Sequence, residues 1–259
     1  MTVKKLNTRK LRNFKKSNEK RNLQMLTCYD FQTAKLLNET NLDLILVGDS
    51  LGNVVLGYET TVSVTIEEMI IFTSAVKRGA PNKFVIGDLP FGTYNTVEEG
   101  LKSATALFQK SNCEAIKLEG AFDHQLELIK RLTEVGIPVM GHIGLTPQSV
   151  HQQGGYYTHG KNEESAVRLL DNAKKLEAAG CFSVVLECIE KDLSLAITKE
   201  LTIPTIGIGA GTDVDGQVLV INDLLKLGSD YPPSFCKPIA DFYQLKKEAI
   251  EKYLTENYA

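Results

Sequence analysis

The chain has 259 residues, of which 43% are apolar and 24% are charged, and its formal net charge is −3 at pH 7. This balance is typical of a soluble globular protein with enough material for a sizeable core. No apolar run reaches the roughly 18 residues that a membrane helix needs, and no apolar leader is present. We therefore expect a cytoplasmic protein without a membrane partner.

The first 21 residues are strongly basic, with nine Lys or Arg and one Glu, a net charge of +8. A transit peptide, a nucleic-acid arm and a basic helix that packs on the body are the competing interpretations. Lys and Asn dominate where transit peptides favour Arg and Ser, and the acidic remainder argues against nucleic acid. Leu6, Leu11 and Phe14 would give a short helix something to bury, so we expect a helix over 1–21.

Eight short apolar segments predict strands of a parallel sheet, because strands buried on both faces read as continuous apolar runs. In chain order they are 23–28, 44–48, 84–88, 115–118, 139–141, 183–187, 205–208 and 218–221. Helical apolar spacing between them is clearest at 65–78, 96–109 and 163–179. The alternation predicts an α/β protein, a single (β/α)₈ barrel domain over 1–259, rather than a doubly wound sheet.

Two long connections and a tail interrupt this regularity. Residues 51–64 follow the second strand, and residues 145–162 follow the fifth and read LTPQSVHQQGGYYTHGKN. Loops of this length in a compact domain are usually lids or binding loops. Residues 241–258 predict a further amphipathic helix, which could cover a barrel end or reach a neighbouring subunit.

Four of the predicted strands end in a carboxylate, namely Asp49, Asp88, Glu119 and Glu187. Parallel α/β proteins bind ligands at the carboxyl ends of their strands, so these acids would meet at one edge. A single acid there is more often a strand-end cap, but four would repel each other without a cation between them. A hard divalent metal such as Mg²⁺ takes oxygen ligands, so the pattern predicts a metal-assisted enzyme.

Two basic side chains belong to the same edge. Lys117 alternates with Glu119 in the fourth strand, so both face the barrel interior or its rim. A structural ion pair and a Schiff-base nucleophile are both open to Lys117, and the surrounding acids favour a retained ammonium. His142 ends the fifth strand among the acids, which favours a role in the site over a core hydrogen bond.

The glycines of GIGAG, at positions 207, 209 and 211, match only part of a dinucleotide-binding fingerprint. They lack the third glycine of GxGxxG, so a tight turn after a strand explains them equally well. A phosphate-facing barrel loop is a third interpretation. The five cysteines form no CxxC and no metal spacing with His, which predicts free thiols.

Several longer motifs together resemble one family. The resemblance runs from about Leu26 to Asp223. In chain order its segments are LVGDSLGNVVLGYETT, KRGAPN, GDLPFGTY, AIKLEG, PVMGHIGLTPQSV with GGY, LEAAG, VVLEC and IPTIGIGAGTDVDGQVLV. Jointly they are similar to the ketopantoate hydroxymethyltransferase family, although GDSLG or GIGAG alone would be weak.

The resemblance implies a barrel of the phosphoenolpyruvate/pyruvate superfamily and a cytoplasmic homodecamer, a dimer of pentamers. It implies Mg²⁺ or a similar divalent metal as cofactor. The implied reaction transfers a hydroxymethyl group from 5,10-methylenetetrahydrofolate to 3-methyl-2-oxobutanoate through a metal-stabilised enolate. The product would be 2-dehydropantoate, an intermediate of pantothenate and coenzyme A synthesis.

The family's functional residues fall on identical residue types in this chain. The implied catalytic base is Glu187, and Cys28, where alanine is common, is a mild departure away from the chemistry. The implied metal ligands are Asp49, Asp88 and Glu119, the last directly or through water. The implied substrate-binding residues are Asp49, Ser50, Asp88, Lys117 and His142.

Two other hypotheses stay open. Another metal-dependent lyase or aldolase of the superfamily would act on 2-oxo or 2-hydroxy diacids. A diacid substrate would call for additional Arg or Lys near the strand ends, and isocitrate-lyase-like relatives usually carry a KKCGH-type loop that is missing here. A non-catalytic nucleotide-binding module relying on GIGAG would leave the four acidic strand ends unexplained.

Overall fold

The computed structural model describes residues 5–17 and 21–256. Eight parallel strands pair in chain order and close into a barrel, which confirms the predicted (β/α)₈ class. The strands are β1 Leu23–Thr27, β2 Leu44–Val47, β3 Phe84–Asp88, β4 Ala115–Lys117, β5 Val139–Gly144, β6 Ser183–Glu187, β7 Thr205–Ile208 and β8 Gly216–Leu219.

Helices connect the strands. They are α1 Thr8–Arg12, α2 Phe31–Glu39, α3 Ile66–Gly79, α4 Val97–Ser111, α5 Asp123–Glu134, α6 Val150–Gln153, α7 Glu163–Ala179, α8 Lys191–Glu200, α9 Ile221–Leu224 and α10 Phe242–Thr255. The long connections are partly helical too, with a π-helix at Gly52–Leu56 and 3₁₀ turns at Thr61–Ser63 and Pro147–Ser149. None of the described helices is long and apolar enough to cross a bilayer.

Local sequence signals set the helix ends. Thr65 and Glu68 form a full capping box at the start of α3, which satisfies backbone N–H groups that would otherwise lack partners. Gly180 ends α7 at φ 109°, a conformation that glycine adopts without strain. Gly79 is the last residue of α3, and a Cβ at this position would stand 2.5 Å from the Phe31 carbonyl oxygen of α2. Close packing of α3 on α2 therefore explains this glycine.

The barrel interior is apolar towards the amino ends of the strands, which we call its lower end; the carboxyl ends form its upper end. Inward-facing side chains of successive strands, among them Met25, Leu44, Phe84 and Met140, form one buried cluster with Leu11 of α1. Because side chains alternate along a strand, the next inward positions of β3, β4 and β5 towards their carboxyl ends fall on Asp88, Lys117 and His142. The apolar layers thus form a floor beneath a polar mouth.

The basic segment packs on that floor. Its described residues form α1 and a 3₁₀ turn at Phe14–Lys16, and Leu6 and Phe14 pack against the core cluster. Lys15 donates to the Leu201 carbonyl oxygen at 2.8 Å. This supports the packed basic segment over a free arm, but as two short helical pieces; residues 1–4 and 18–20 of the predicted helix lie outside the described residues.

The chain divides into two compact units, residues 1–218 and residues 219–259. In the second unit, Asp241 caps α10 and pairs with Lys226 at 2.5 Å. None of the α10 residues is buried, and Ile250, Tyr253 and Leu254 are exposed. A helix is thus confirmed within predicted residues 241–258, while the single-domain organisation stays a prediction.

Candidate active site

Charged side chains from adjacent strands meet at the carboxyl end of the barrel. Asp88 ends β3 and Lys117 ends β4, and their Cα atoms are direct partners in the parallel register. Both continue the inward-facing positions of Ile86 and Ala115, which belong to the core cluster. Both charged side chains are therefore buried inside the barrel: Asp88 is 1% exposed and Lys117 is 4% exposed.

Lys117 is the cationic centre of the site. Its Nζ donates to Asp88 Oδ2 at 2.6 Å and lies 3.7 Å from Glu119 Oε1. Burial lowers the pKa of Lys117, but the charges of Asp88, Glu119 and Asp49 outweigh burial and raise it above the usual range. The side chain is therefore a retained ammonium, as the surrounding acids predicted.

His142 lies between two carboxylates. Its Nδ1 is 3.3 Å from Glu119 Oε1, and its Nε2 is 3.3 Å from Glu187 Oε2. Burial and the Lys117 charge lower the pKa of His142, but the contacts with Glu119 and Glu187 prevail and raise it to about 9. The ring thus joins the end of β4 to the end of β6.

Asp49 follows β2 and is held by a residue that the sequence did not single out, Gln148. Gln148 Nε2 donates to Asp49 Oδ2 and to the Leu89 carbonyl oxygen, each at 2.9 Å. Its backbone N–H donates to Glu119 Oε2 at 3.1 Å, and its Oε1 accepts from Tyr94 Oη at 2.5 Å. One glutamine from the loop after β5 thereby fixes two of the acids.

Ser50 directly follows Asp49 in the turn after β2 and is half-buried. Its Oγ lies 2.8 Å from the hydroxyl oxygen of Tyr29, which fixes the serine at the rim of the site. Ser50 is therefore adjacent to Asp49 in the chain, and its side chain contacts Tyr29 in the loop after β1.

The three buried acids differ in how well they are neutralised. Burial, followed by the charges of Asp88 and Glu119, raises the pKa of Asp49 well above its usual range. Burial also raises the pKa of Asp88 despite Lys117. For Glu119 the burial penalty is outweighed by His142 and Lys117, so its pKa is lowered. Burial therefore disfavours the ionised form at Asp49 and Asp88, but not at Glu119.

Each aspartate also keeps one oxygen without a hydrogen bond among the described residues. Lys117 engages only Oδ2 of Asp88, and Oδ1 is buried without a partner. Gln148 engages only Oδ2 of Asp49. Over the same residues, no three His, Cys, Asp or Glu side chains converge closely enough to hold a metal by themselves.

Comparison with known proteins assigns the chain. Residues 5–258 match the family model for ketopantoate hydroxymethyltransferase. The chain is 51% identical over 240 residues to 3-methyl-2-oxobutanoate hydroxymethyltransferase of Leptospira interrogans, covering 92% of this chain and 90% of that protein. The chain belongs to the ketopantoate hydroxymethyltransferase family. The resemblance seen in the motifs is confirmed, and the chain is an enzyme of this family.

More distant structures share the barrel. Phosphoenolpyruvate phosphomutase of Streptomyces platensis superposes with a TM-score of 0.67 at 12% identity, covering 97% of this chain and 88% of that chain. Phosphonopyruvate hydrolase, solved with oxalate and Mg²⁺, has a TM-score of 0.61 at 11% identity and coverage of 98% and 99%. These identities show a common fold for the family and the mutase-type enzymes.

The weaker motifs have structural explanations in this family member. Gly209 and Gly211 have φ values of 61° and 82°, and a Cβ on Gly211 would stand 2.9 Å from the Lys191 Cβ. These constraints favour the tight-turn interpretation of GIGAG. All five cysteines are free thiols, and burial followed by the Glu187 charge raises the pKa of Cys188 to about 11. A thiolate nucleophile beside Glu187 is therefore disfavoured.

Proposed function

We propose that the enzyme transfers a hydroxymethyl group from 5,10-methylenetetrahydrofolate to 3-methyl-2-oxobutanoate, giving 2-dehydropantoate for pantothenate synthesis. The observation that carries this proposal is the 51% identity, over 90% of its length, to a protein named 3-methyl-2-oxobutanoate hydroxymethyltransferase. The buried acid cluster supports it, because deprotonation beside a carbonyl needs a base and a stabilised negative charge.

The cluster fits a divalent metal such as Mg²⁺. Asp49 and Asp88 each offer an oxygen without a hydrogen bond among the described residues, and a cation would stabilise the ionised form that burial disfavours at both. Mg²⁺ keeps several waters and binds through one or two carboxylates, so these two acids suffice. Both oxygens of Glu119 already contact neighbours, so we assign it a water-mediated role. When bound, the cation supplies Lewis-acid stabilisation of charge on the substrate's keto oxygen.

Lys117 and Ser50 would bind the 2-oxoacid. The retained ammonium of Lys117 neutralises the substrate carboxylate, and its contact with Asp88 fixes its position. Ser50 would donate its hydroxyl at the rim, oriented by Tyr29. A protonated lysine is a poor nucleophile, so this arrangement favours non-covalent positioning over a Schiff base.

Glu187 is the proposed base. Its carboxylate is 17% exposed at the barrel mouth, and His142 Nε2 contacts Oε2, so Oε1 remains for the substrate. Glu187 would take the proton from C3, and the resulting enolate carbon attacks the one-carbon unit of the folate. That attack breaks one carbon–nitrogen bond of the donor's methylene group. The oxygen of water then replaces the second nitrogen and completes the hydroxymethyl group, and tetrahydrofolate leaves with the proton from C3 and one proton from water. His142 orients the base from within the barrel.

The predicted assembly is a cytoplasmic homodecamer, a dimer of pentamers, and we keep it as part of the proposal. Exposed apolar side chains on α10, such as Ile250 and Leu254, supply material for a subunit contact. Sedimentation velocity of the purified chain distinguishes a decamer from smaller species.

An assay with both substrates tests the function. We expect formation of 2-dehydropantoate from 3-methyl-2-oxobutanoate and methylenetetrahydrofolate, loss of activity with EDTA, and recovery with Mg²⁺. Activity that survives exhaustive chelation would refute the metal role. Absence of product with the folate donor, while formaldehyde is accepted, would refute the donor assignment.

A further inference from the structure

A separate cavity of about 290 Å³ lies on the outer side of β5, near the carboxyl end of the barrel. Its wall includes Gly120 after β4, Gly144 of β5, and Arg168 in the first half of α7. Ligand pockets in proteins usually hold roughly 300–1,000 Å³, so this cavity suits one part of a larger ligand. None of the proposed catalytic or metal-binding residues lines it.

His159 gives the cavity an unused polar atom. The residue is 8% exposed, and its Nε2 is buried without a hydrogen-bond partner among the described residues. Its backbone is fixed on both sides, because its N–H donates to Cys188 and its carbonyl oxygen accepts from Glu190 N–H. Burial, followed by the Arg168 charge, lowers the pKa of the ring, so it is neutral near pH 7. A buried nitrogen of this kind calls for a ligand group.

Arg168 gives the cavity a free cation. Its side chain is exposed, and it has no ion pair with any described acidic residue. The guanidinium has a planar donor geometry that matches a carboxylate in a bidentate contact. The cavity therefore favours an anion at its α7 side.

Aromatic rings line the remainder. Tyr157 stacks on His159 with ring centroids 4.3 Å apart, and Tyr157 is still 49% exposed. Phe122, which also lines the cavity, is 72% exposed. Two exposed rings and a cation in the lining of one cavity match a ligand that joins an aromatic ring to a carboxylate.

Two glycines of the cavity wall lie next to acids of the proposed active site. Gly120 follows Glu119, and a Cβ on Gly144 would stand 2.2 Å from the Glu187 carbonyl oxygen. We propose that this cavity binds the aminobenzoyl-glutamate arm of the one-carbon donor, with Arg168 on a carboxylate, Tyr157 against the aromatic ring, and His159 Nε2 hydrogen-bonded to a polar atom of the arm. The inference rests on the proposed use of a folate donor, and it names the binding site for that donor.

Direct binding of N-(4-aminobenzoyl)-L-glutamate to the full chain tests the site without turnover. We expect Arg168→Gln to weaken binding about tenfold, the effect of losing a charge-assisted contact. His159→Phe keeps a ring for stacking and should weaken binding severalfold. Arg131→Gln is the matched control, because Arg131 is an exposed residue of α5 outside the cavity, and this variant should bind as the wild type does. 4-Aminobenzamide, which lacks carboxylates, should not distinguish Arg168→Gln from the wild type.

Two further measurements complete the test. Tetrahydrofolate should displace the fragment, and Arg168→Gln should raise the KM for methylenetetrahydrofolate while leaving the KM for 3-methyl-2-oxobutanoate unchanged. Equal fragment binding by wild type, Arg168→Gln and His159→Phe would overturn the inference, as would failure of tetrahydrofolate to compete. Because fragment binding is measured without catalysis, a wild type that rejects the folate donor would refute the proposed function separately.

Discussion

The two ends of the barrel treat buried charge in opposite ways. At the amino ends of the strands, several described cations of the basic segment contact an acid or a carbonyl oxygen. Lys15 contacts Asp215 at 3.2 Å, and Arg12 donates to the Gly180 carbonyl oxygen at 2.6 Å. At the carboxyl ends, Lys117 lies near Asp88 and Glu119, His142 contacts Glu119, and Asp49 is held by the neutral Gln148.

The difference separates stability from chemistry within one fold. Paired charges at the amino ends of the strands close the barrel at little electrostatic cost, whereas ionising the buried acids at the carboxyl ends is costly until a cation binds. Conservative changes should therefore lower stability at the lower end and activity at the upper end. Four predictions test this division.

Removing an acid of the upper end should have the largest effect. We expect Asp49→Ala and Asp88→Ala each to lower kcat about 10³-fold, the scale for losing a group that stabilises transition-state charge. Asp49→Ala should stay folded because it relieves repulsion among buried acids, and Asp88→Ala should stay folded because Glu119 remains near the Lys117 ammonium. The matched control is Asp43→Asn at the lower end, where Arg21 pairs with Asp43. Near-normal rates in both alanine variants would overturn the site.

Removing the apolar floor should have the opposite outcome. Leu11 is 1% exposed, and truncation of a buried leucine to alanine costs about 3 kcal/mol of unfolding free energy. We expect Leu11→Ala to lower the urea midpoint and to keep kcat at 25 °C. Leu36→Ala, which removes a 62% exposed side chain of α2, is the control and should change stability little. Equal midpoints for both variants would contradict the role of the floor.

The free energy of unfolding should depend on pH through the buried titratable groups at the carboxyl ends of the strands. The pKa of His142 is raised to about 9 from 6.5, so its stabilising contribution is complete below about pH 6.5 and is lost as pH rises through 9. The raised pKa values of Asp49 and Asp88 act in the same direction. We expect about 2 kcal/mol less unfolding free energy at pH 9 than at pH 6.5 without metal.

Urea unfolding at the two pH values measures this loss. Mg²⁺ should reduce the difference, because a bound cation stabilises the ionised acids. His142→Asn should also reduce it. A wild type that is more stable at pH 9 would show that the cluster does not govern the pH dependence.

Loosening Gln148 should have the smallest effect. Gln148→Met removes the amide that holds Asp49 and keeps the backbone donor to Glu119. We expect about a tenfold loss of kcat/KM and weaker Mg²⁺ binding by calorimetry, as for lost hydrogen bonds to charged groups. Gln152→Met, an exposed change in the same loop, is the control. Unchanged Mg²⁺ affinity in Gln148→Met would contradict a positioning role.

Much of the fold could be predicted because its signals are local. The apolar runs at 84–88, 183–187 and 205–208 coincide with β3, β6 and β7. The prediction ended β5 at Gly141, but the strand continues to Gly144, which pairs with Glu187 of β6. β8 begins at Gly216, two residues earlier than predicted, where a Cβ would stand 2.7 Å from the Leu23 carbonyl oxygen. Both misplaced ends depend on tertiary contacts at glycines.

The site was predictable where strand register alone decides it. Asp88, Lys117 and His142 follow from alternation and strand ends, and the structure brings them together with Glu119. Gln148 was missed because its contacts depend on how the loop after β5 folds over the barrel mouth. Its one sequence signal is the segment LTPQSV, a turn that places a polar side chain next to a strand end.

The basic segment also bears on the order of assembly. Its contacts join residues far apart in the chain, with separations of 109 for Lys5 and Glu114, 168 for Arg12 and Gly180, and 186 for Lys15 and Leu201. Contacts of such range form only after the intervening chain has been ordered, and they slow folding. We therefore expect the basic segment to dock late in folding, after the strands whose ends it contacts have formed.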